Sequence, residues 1–328
     1  MALSYKKQRF KNPHIQEIHR KLKEVFLWKI GRYDDPQELR DVPPDFSYPL
    51  SPLKSNMETP SVTWINHSSF LVRFNQIHFL FDPIWSERCS PFSFFGPKRS
   101  HPPAIPFSDL PKIDYVLISH DHYDHLDKQT VKALFKKFKD IRWIVPTGVK
   151  KRLAQWGIPK SSELSWWKMQ VFSLPDGITL KVTAVPSQHF PGRSIWDTNT
   201  TLWVGWVLEF YQNQELLKCL YFVGDTGYNP IDFRKIGERF KQIDLSLIPI
   251  GTYVPKKFMQ AVHVNPLEAL HIHRDVHSKL SIGMHWKTFN LSDEARNQPP
   301  YDLLYHLAHA NIDPSTFLVL EPGHEINW

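Results

Sequence analysis

One segment restricts the fold and chemistry of this chain more than any other. Residues 119–127 contain three histidines and three aspartates, directly after a predicted short strand at 115–119. Without a metal, this density would leave polar groups unpaired and like charges crowded. Imidazole and carboxylate together suit zinc or a similar divalent ion. The spacing predicts a tight turn in which His120 and His122 face one ion, while Asp124 and His125 face a second.

Three further donors follow predicted strands elsewhere in the chain. His189 comes after a strand that ends near residue 185, and His285 after one that ends at 284. Asp225 lies between Gly224 and Gly227, whose conformational freedom lets the backbone turn so that the carboxylate can bridge two ions. One tetrahedral ion cannot use seven protein donors. Their common placement therefore predicts a two-metal site.

Hydrophobic periodicity predicts mixed β-sheets covered by helices, an α/β (α+β) fold. Strands in the first half are mainly sequential, and strands alternate with helices in the second half. Predicted strands span 61–74, 77–82, 115–119, 142–145, 178–185, 202–210, 220–223, 245–250, 280–284 and 317–320. Predicted helices span 128–139, 232–240, 266–276 and 301–310.

The first 60 residues have a different texture from the rest. Apolar residues at helical spacing over 14–30 predict an amphipathic helix, packed on the body or, alternatively, lying on a membrane surface. The proline-rich stretch 43–60 predicts an extended, wrapping segment. We therefore expect a 1–60 N-terminal part and one folded domain over 61–328.

Composition narrows the class of protein. No apolar run approaches the roughly 20 residues of a membrane-spanning helix, and no secretory signal follows the basic N-terminus. Two cysteines, Cys89 and Cys219, make no disulfide framework. We expect a cytoplasmic protein that at most contacts a membrane peripherally. The net charge of +7 favours an anionic partner without identifying it.

The histidine cluster, the downstream His189, the Gly-Asp-Thr-Gly turn at 224–227 and His285 resemble the metallo-β-lactamase fold, a four-layered αββα sandwich of two mixed β-sheets. Segments 224–228, 248–253, 263–269 and 284–289 are similar to one family within it, the N-acyl-phosphatidylethanolamine-hydrolysing phospholipases D. The similarity extends from about residue 64 to about residue 300. Domain 61–328 is thus expected to be a hydrolase of this fold.

The resemblance implies specific roles. Two Zn²⁺ ions per chain are implied, one held by His120, His122 and His189, the other by Asp124, His125 and His285, with Asp225 as the bridge. His263 matches an active-site histidine that is not a zinc ligand. Asp124, Asp225 and His263 are therefore the expected catalytic residues. The implied partners are a phospholipid substrate, a membrane surface and a second copy of the chain in a homodimer, rather than a nucleic acid.

Three other side chains are candidates for supporting the site. His67 could line the cavity or orient a ligand, and a half-buried histidine without such a role is an equal alternative. Asp82 and Asp127 are candidate acceptors for imidazole N–H groups.

The predicted activity is cleavage of N-acyl-phosphatidylethanolamine to an N-acylethanolamine and phosphatidic acid. One alternative is a lactonase or another phosphodiesterase on the same scaffold, because a pair of metal ions serves either reaction. A non-catalytic zinc or lipid-binding protein is the alternative of another class, and it would have metals fully ligated by protein.

A lipid substrate also requires a way to reach the bilayer. Phe92, Phe94 and Phe95 form an aromatic loop followed by Lys98 and Arg99, a combination typical of membrane contact. Packing of the three phenylalanines in the core is the competing explanation.

Overall fold

A computed structural model describes residues 9–15, 27–28, 30–31, 39–48, 59–194 and 196–328. The predicted helix over 14–30 and the part of the predicted extended segment at 49–58 lie largely outside the described residues. Residues 39–48 contact the main body, where Arg40 Nη1 lies 3.2 Å from Asp302 Oδ1. Every helix of the described residues is too short or too polar to cross a membrane.

The first sheet has seven strands in the order β14-β1-β2-β3-β4-β5-β6. Its antiparallel half runs from β14 to β3, and its parallel half from β3 to β6. The strands are β1 Ser61–Asn66, β2 Ser69–Phe74, β3 Ile77–Phe81, β4 Tyr115–Leu117, β5 Arg142–Pro146, β6 Ser162–Leu164 and β14 Glu325–Asn327.

The second sheet also has seven strands, in the order β13-β12-β11-β10-β9-β8-β7. Strands β10 to β13 are parallel, and β7 to β10 are antiparallel. The strands are β7 Met169–Ser173, β8 Ile178–Val185, β9 Gly205–Gln212, β10 Glu215–Phe222, β11 Ile243–Pro249, β12 Ser278–Met284 and β13 Phe317–Leu318.

Aromatic side chains join the two sheets face to face. Phe74 stacks on Phe210 with ring centroids 3.9 Å apart, and Phe81 stacks on Phe222 at 4.9 Å. All four are buried, and each burial of this size stabilises the fold by roughly 1.5–3 kcal/mol. The main hydrophobic core therefore lies between the sheets.

Helices cover the outer faces of both sheets. Val131 and Leu134 of α1 pack with Val116 of the first sheet, and Phe233 of α3 and Leu270 of α5 pack with the second. The helices are α1 Lys128–Lys137, α2 Val149–Gln155, α3 Pro230–Arg239, α4 Lys256–Met259, α5 Pro266–Asp275 and α6 Gln298–His309. The predicted αββα sandwich of two mixed sheets is confirmed.

The sequence patterns missed β6, β7, β14, α2 and α4. Strands β6 and β14 have three residues each, too few to display an alternating pattern. Strand β7 is an edge strand that buries only Phe172. The strand predicted from residue 202 begins instead at Gly205.

Candidate metal centre

The candidate metal centre lies where strands of both sheets end. His120 follows β4, His189 follows β8, Asp225 follows β10 and His285 follows β12. Gly224 makes the turn before Asp225 with φ +69°, and a Cβ there would lie 3.0 Å from Ser119 Cβ and from Val204 O. Only glycine fits this turn without strain.

Three imidazoles form the first pocket, defined by His120, His122 and His189. His122 Nδ1 lies 3.0 Å from His120 Nε2 and 3.2 Å from His189 Nε2. These ring nitrogens converge on one point, as the ligands of a single tetrahedral ion do.

The second pocket consists of Asp124, His125 and His285. Asp124 Oδ2 lies 3.3 Å from His125 Nε2 and 3.4 Å from His285 Nε2. Neither Nε2 has a hydrogen bond of normal geometry among the described residues, although both are buried. Buried polar atoms of this kind call for a partner, and a cation bound between them would supply it.

Asp225 stands between the two pockets. Its Oδ2 lies 3.2 Å from His125 Nε2 and 3.1 Å from His285 Nε2, both in the second pocket. The same oxygen lies 3.8 Å from the Nε2 atoms of His120 and His189 in the first pocket. A carboxylate in this position is within reach of both pockets.

A buried hydrogen-bond relay supports both pockets from behind. His125 Nδ1 lies 2.7 Å from Asp82 Oδ2. Ser119 Oγ donates to the same oxygen at 2.5 Å, so it accepts the Nδ1–H of His120 at 2.9 Å. Asp82 therefore orients one imidazole directly and another through a serine hydroxyl, the arrangement common behind metal-bound histidines.

The outer nitrogens of two other histidines are also occupied. His189 Nδ1 lies 2.9 Å from the carbonyl oxygen of Val262, and His285 Nδ1 lies 3.2 Å from Thr252 Oγ1. Four imidazoles thus direct Nε2 towards the centre while Nδ1 is held from outside. The donor set and its orientation fit divalent cations.

Burial controls protonation in the first pocket. It lowers the pKa of His120 and of His189 well below the usual value, and it also lowers the pKa of His122. The neighbouring imidazoles add to this effect at His120, because several positive charges cannot share the site. Neutral imidazole is the form that binds a metal.

The second pocket has the opposite electrostatics. Burial opposes charge on every group there, but Asp225 overcomes it and raises the pKa of His285 to about 9. Asp225 and Asp124 likewise raise the pKa of His125 well above its usual value. Against the same opposition from burial, His125 and its neighbours hold the pKa of Asp124 and of Asp225 well below the usual range. The two carboxylates attract positive charge to this pocket.

Positive backbone φ angles at non-glycine residues occur around the centre, at His67 (+45°), Asp82 (+37°), Thr252 (+70°) and His285 (+62°). Each such residue costs of order 1–3 kcal/mol and persists only where surrounding contacts impose it. This concentration is typical of a functional site.

His67 is fully buried and contacts the second pocket. Its Nε2 lies 2.9 Å from Asp124 Oδ2, and its carbonyl oxygen accepts the backbone N–H of His285 at 3.1 Å. Burial lowers the pKa of His67 to about 3, so the neutral ring donates to the Asp124 carboxylate. Of the alternatives left open by the sequence, this geometry favours orientation of a ligand.

His263 lies at the open side of the centre, in the loop between α4 and α5. Its Nδ1 is 3.9 Å from Asp225 Oδ2, and its ring centroid is 5.0 Å from that of His189. The side chain is 11% exposed, whereas that of His285 is 0% exposed. Asn265 and Glu268 form the capping box that begins α5, so His263 is not needed as a helix cap.

Asp127 does not support an imidazole, and that prediction is wrong. Its carboxylate caps α1, accepting from Gln129 N at 3.2 Å and from Thr130 Oγ1 at 2.5 Å. It also accepts from Ser86 N at 3.1 Å. The first backbone N–H groups of a helix have no partner within the helix, and a side chain at the N-cap position accepts hydrogen bonds from them. Asp127 occupies the N-cap position of α1.

The aromatic loop is exposed rather than packed in the core. The exposed fractions are 53% for Phe92, 79% for Phe94 and 70% for Phe95. Lys98 is also exposed and pairs with Glu87 at 2.7 Å.

Arg99 lies at the base of the aromatic loop, and its predicted membrane contact stays a prediction. Its guanidinium donates to the carbonyl oxygens of Ile84 and Ser86, each at 2.9 Å, and it is only partly exposed. These bonds anchor the base of the loop.

Sequence patterns gave no signal for several residues around the centre. Ser119 and Thr252 contact the imidazoles of two candidate ligands, and Asn12 contacts the backbone of His189. Trp196 is 79% exposed in the loop 191–200. Only the placement of Ser119 directly before the cluster could have indicated its role.

A cavity of about 550 Å³ lies between the loop 191–200 and the aromatic loop. Phe92, Tyr123, Lys128, Arg152, Arg193 and Asp197 are among the residues that line it. Tyr123 and Asp127 of the 119–127 segment line this cavity, whereas none of the seven candidate ligands does.

Comparison with protein families matches residues 78–286 to the β-lactamase superfamily domain. The chain is 38% identical over 268 residues to N-acyl-phosphatidylethanolamine-hydrolyzing phospholipase D 1 of Caenorhabditis elegans, covering 80% of this chain and 74% of that protein. It is 35% identical over 238 residues to the mitochondrial N-acyl-phosphatidylethanolamine-hydrolyzing phospholipase D of Saccharomyces cerevisiae. That match covers 72% of this chain and about half, 49%, of the yeast protein.

Solved structures share the fold at lower identity. Igni18, a metallo hydrolase from Ignicoccus hospitalis, superposes with a TM-score of 0.58 and 20% identity over 82% of this chain and 98% of that one. An isothiocyanate hydrolase from Delia radicum gut bacteria gives a TM-score of 0.62 and 20% identity over 82% and 99%.

Proposed function

Since the chain belongs to the β-lactamase superfamily, and within it to the family of N-acyl-phosphatidylethanolamine-hydrolysing phospholipases D, we propose that it is a zinc-dependent phosphodiesterase of the phospholipase D type. Its substrate is N-acyl-phosphatidylethanolamine, and its products are an N-acylethanolamine and phosphatidic acid. The broader class is already clear, because the chain is a metal-dependent hydrolase like its relatives.

The observation that carries the proposal is the convergence of seven metal-type donors on one centre. The chain that holds them is 38% identical to a protein named as an N-acyl-phosphatidylethanolamine-hydrolyzing phospholipase D. One zinc would be held by His120, His122 and His189, and the other by Asp124, His125 and His285, with Asp225 shared. When bound, such a pair of ions lowers the pKa of a water molecule and offsets negative charge on phosphoryl oxygens.

In the proposed reaction a water oxygen bonds to phosphorus, and the bond from phosphorus to the ethanolamine oxygen breaks. The departing alkoxide takes up a proton. His263 is the side chain placed for substrate contact and proton transfer, because it is partly open to solvent beside Asp225 while the ligand His285 is fully buried.

The same proposal requires access to a bilayer. Phe92, Phe94 and Phe95 on one loop and Trp196 on another offer exposed apolar surface. The cavity between these loops is lined by both basic and acidic side chains, Arg88, Lys128, Arg152 and Arg193 together with Glu87, Asp127 and Asp197. Basic residues near an anionic surface contribute about 1 kcal/mol each. We propose that these loops contact the membrane, reversibly and in a salt-dependent way. The homodimer implied by the resemblance stays a prediction.

Substrate assays test the activity. Purified, zinc-loaded protein is incubated with N-acyl-phosphatidylethanolamine, bis(p-nitrophenyl) phosphate and a panel of lactones. Release of N-acylethanolamine, lost on chelation and restored by zinc, is the expected result. Turnover of lactones without turnover of either phosphodiester would overturn the proposal.

A triple substitution tests the membrane contact. Replacing Phe92, Phe94 and Phe95 by serine should reduce binding to anionic vesicles and turnover of lipid in them, while hydrolysis of bis(p-nitrophenyl) phosphate stays unchanged. The matched control replaces Val171 and Leu217 by serine, since these are exposed apolar residues on strands of the second sheet. Equal vesicle binding by both variants would refute the contact.

A further inference from the structure

A short N-terminal segment, residues 9–15, contacts the loop that carries one of the candidate ligands. Phe10 N donates to Asn199 O at 2.8 Å. Asn12 contacts His189, and His14 Nε2 lies 3.3 Å from Asp232 Oδ1 at the start of α3. The segment lies outside the span 78–286 that matches the superfamily domain.

Asn12 makes a two-point contact with the backbone of His189. Its side-chain NH₂ donates to His189 O at 2.8 Å, and its Oδ1 accepts from His189 N at 3.1 Å. In the described part of the chain, these two backbone groups have no other protein partner. The amide of Asn12 thus pairs with His189 as a neighbouring strand would.

This contact matters because of where His189 lies. Strand β8 ends at Val185, so its ladder does not hold His189. By contrast, backbone bonds within the tight turn hold the histidine cluster, and His67 O holds the backbone of His285. A hydrogen bond to Val262 O holds the ring of His189 at Nδ1. The position of the ring also depends on the backbone that carries it, so that backbone must be held as well.

We propose that Asn12 is a positioning residue that fixes His189 for metal binding in the first pocket. It acts through the His189 backbone and does not contact the metal. The inference rests on the proposed metal centre but not on the lipid substrate. Removal of such an outer contact typically costs about 10- to 100-fold in metal affinity or activity.

Three full-length variants test this role. Asn12→Ala removes the amide, and Asn12→Leu removes both hydrogen bonds while keeping a side chain of similar size. His14→Ala is the matched control, because it removes another contact of the same segment without touching His189. Zinc affinity is measured by competition with a chromophoric chelator, alongside thermal unfolding of the metal-free proteins.

We expect both Asn12 variants to bind one of two zinc ions at least tenfold more weakly than wild type and His14→Ala. The unfolding temperatures of the metal-free proteins should be alike, which separates positioning from a general loss of stability. Zinc affinities equal to wild type, or a loss in Asn12→Ala that Asn12→Leu does not show, would overturn the inference. Wild-type protein that binds no zinc would instead overturn the metal centre itself, and this inference with it.

Discussion

The two pockets of the metal centre differ in how they attract a cation. The first offers three imidazoles that burial keeps neutral, and it has no charge of its own. The second contains a carboxylate, Asp124, and lies closer to another. Asp225 Oδ2 is 3.1–3.2 Å from the Nε2 atoms of its two imidazoles but 3.8 Å from those of His120 and His189 in the first.

The comparison shows that the first pocket depends mainly on geometry and the second mainly on charge. The first relies on the placement of neutral nitrogen atoms, so small displacements should weaken it. The second relies on negative charge, which acts over longer distances and tolerates displacement better. Asp225 in front and Asp82 behind are the groups that both pockets share.

The largest effect is expected from Asp225→Asn, which removes the shared charge. Both pockets should bind zinc more weakly, and turnover should be abolished, while the core stays folded. The second pocket should lose more, because it relies on negative charge and its imidazoles lie closer to Asp225 Oδ2, even though it keeps Asp124. Metal analysis after dialysis and circular dichroism measure these outcomes. A greater loss from the first pocket would contradict the comparison.

His263→Ala should lower turnover by about 10²- to 10⁴-fold while both zinc ions remain bound. The residue lies beside Asp225 but belongs to neither pocket as proposed. Steady-state assays and elemental analysis check this together. Loss of zinc from the variant would show that His263 is a ligand, and normal turnover would show that it has no part in the reaction.

Asp82→Asn should weaken zinc binding by about 10- to 100-fold, because it alters the relay behind the centre. The second pocket should suffer more, since His125 contacts Asp82 directly and His120 contacts it only through Ser119. Stepwise chelator titration resolves the two affinities. Equal weakening of both pockets would mean that the relay transmits its full effect through the serine.

Thr252→Val is expected to have the smallest effect. It removes one hydroxyl, 3.2 Å from His285 Nδ1, and should weaken the second pocket about fivefold, the equivalent of one hydrogen bond of about 1 kcal/mol. The first pocket should not change. The same chelator titration measures both, and an effect on the first pocket would remove the distinction between them.

Much of the fold was predictable because its signals are local. Alternating and helical patterns predicted the long strands and helices, and the sandwich class is confirmed. The positions of the seven donors were readable because each follows a strand, and strand ends meet at one edge. Very short strands such as β6 carry no such signal.

The supporting contacts were far less readable, because they join residues distant in sequence. Asn12 and His189 are 177 residues apart, and no sequence pattern indicates that the backbone of His189 bonds to Asn12. Asp127 was assigned a supporting role because it is close to the cluster in sequence, but its carboxylate caps helix α1. Arg99 was assigned by charge, but its Nε and Nη2 donate to the backbone carbonyl oxygens of Ser86 and Ile84, contacts that no sequence pattern indicated.

The pairing of β1 with β14 has a consequence for folding. Ser61, Val62 and Thr63 align with Asn327, Ile326 and Glu325, and Asn327 also bonds to Pro60 across 267 residues. Closing so long a loop is entropically costly, and folds dominated by distant pairings form slowly. Until it closes, β1 presents an unpaired edge, although every residue of β1 is buried in the final structure. Open edges of this kind recruit other chains. We therefore expect the yield of refolding to fall as the chain concentration rises.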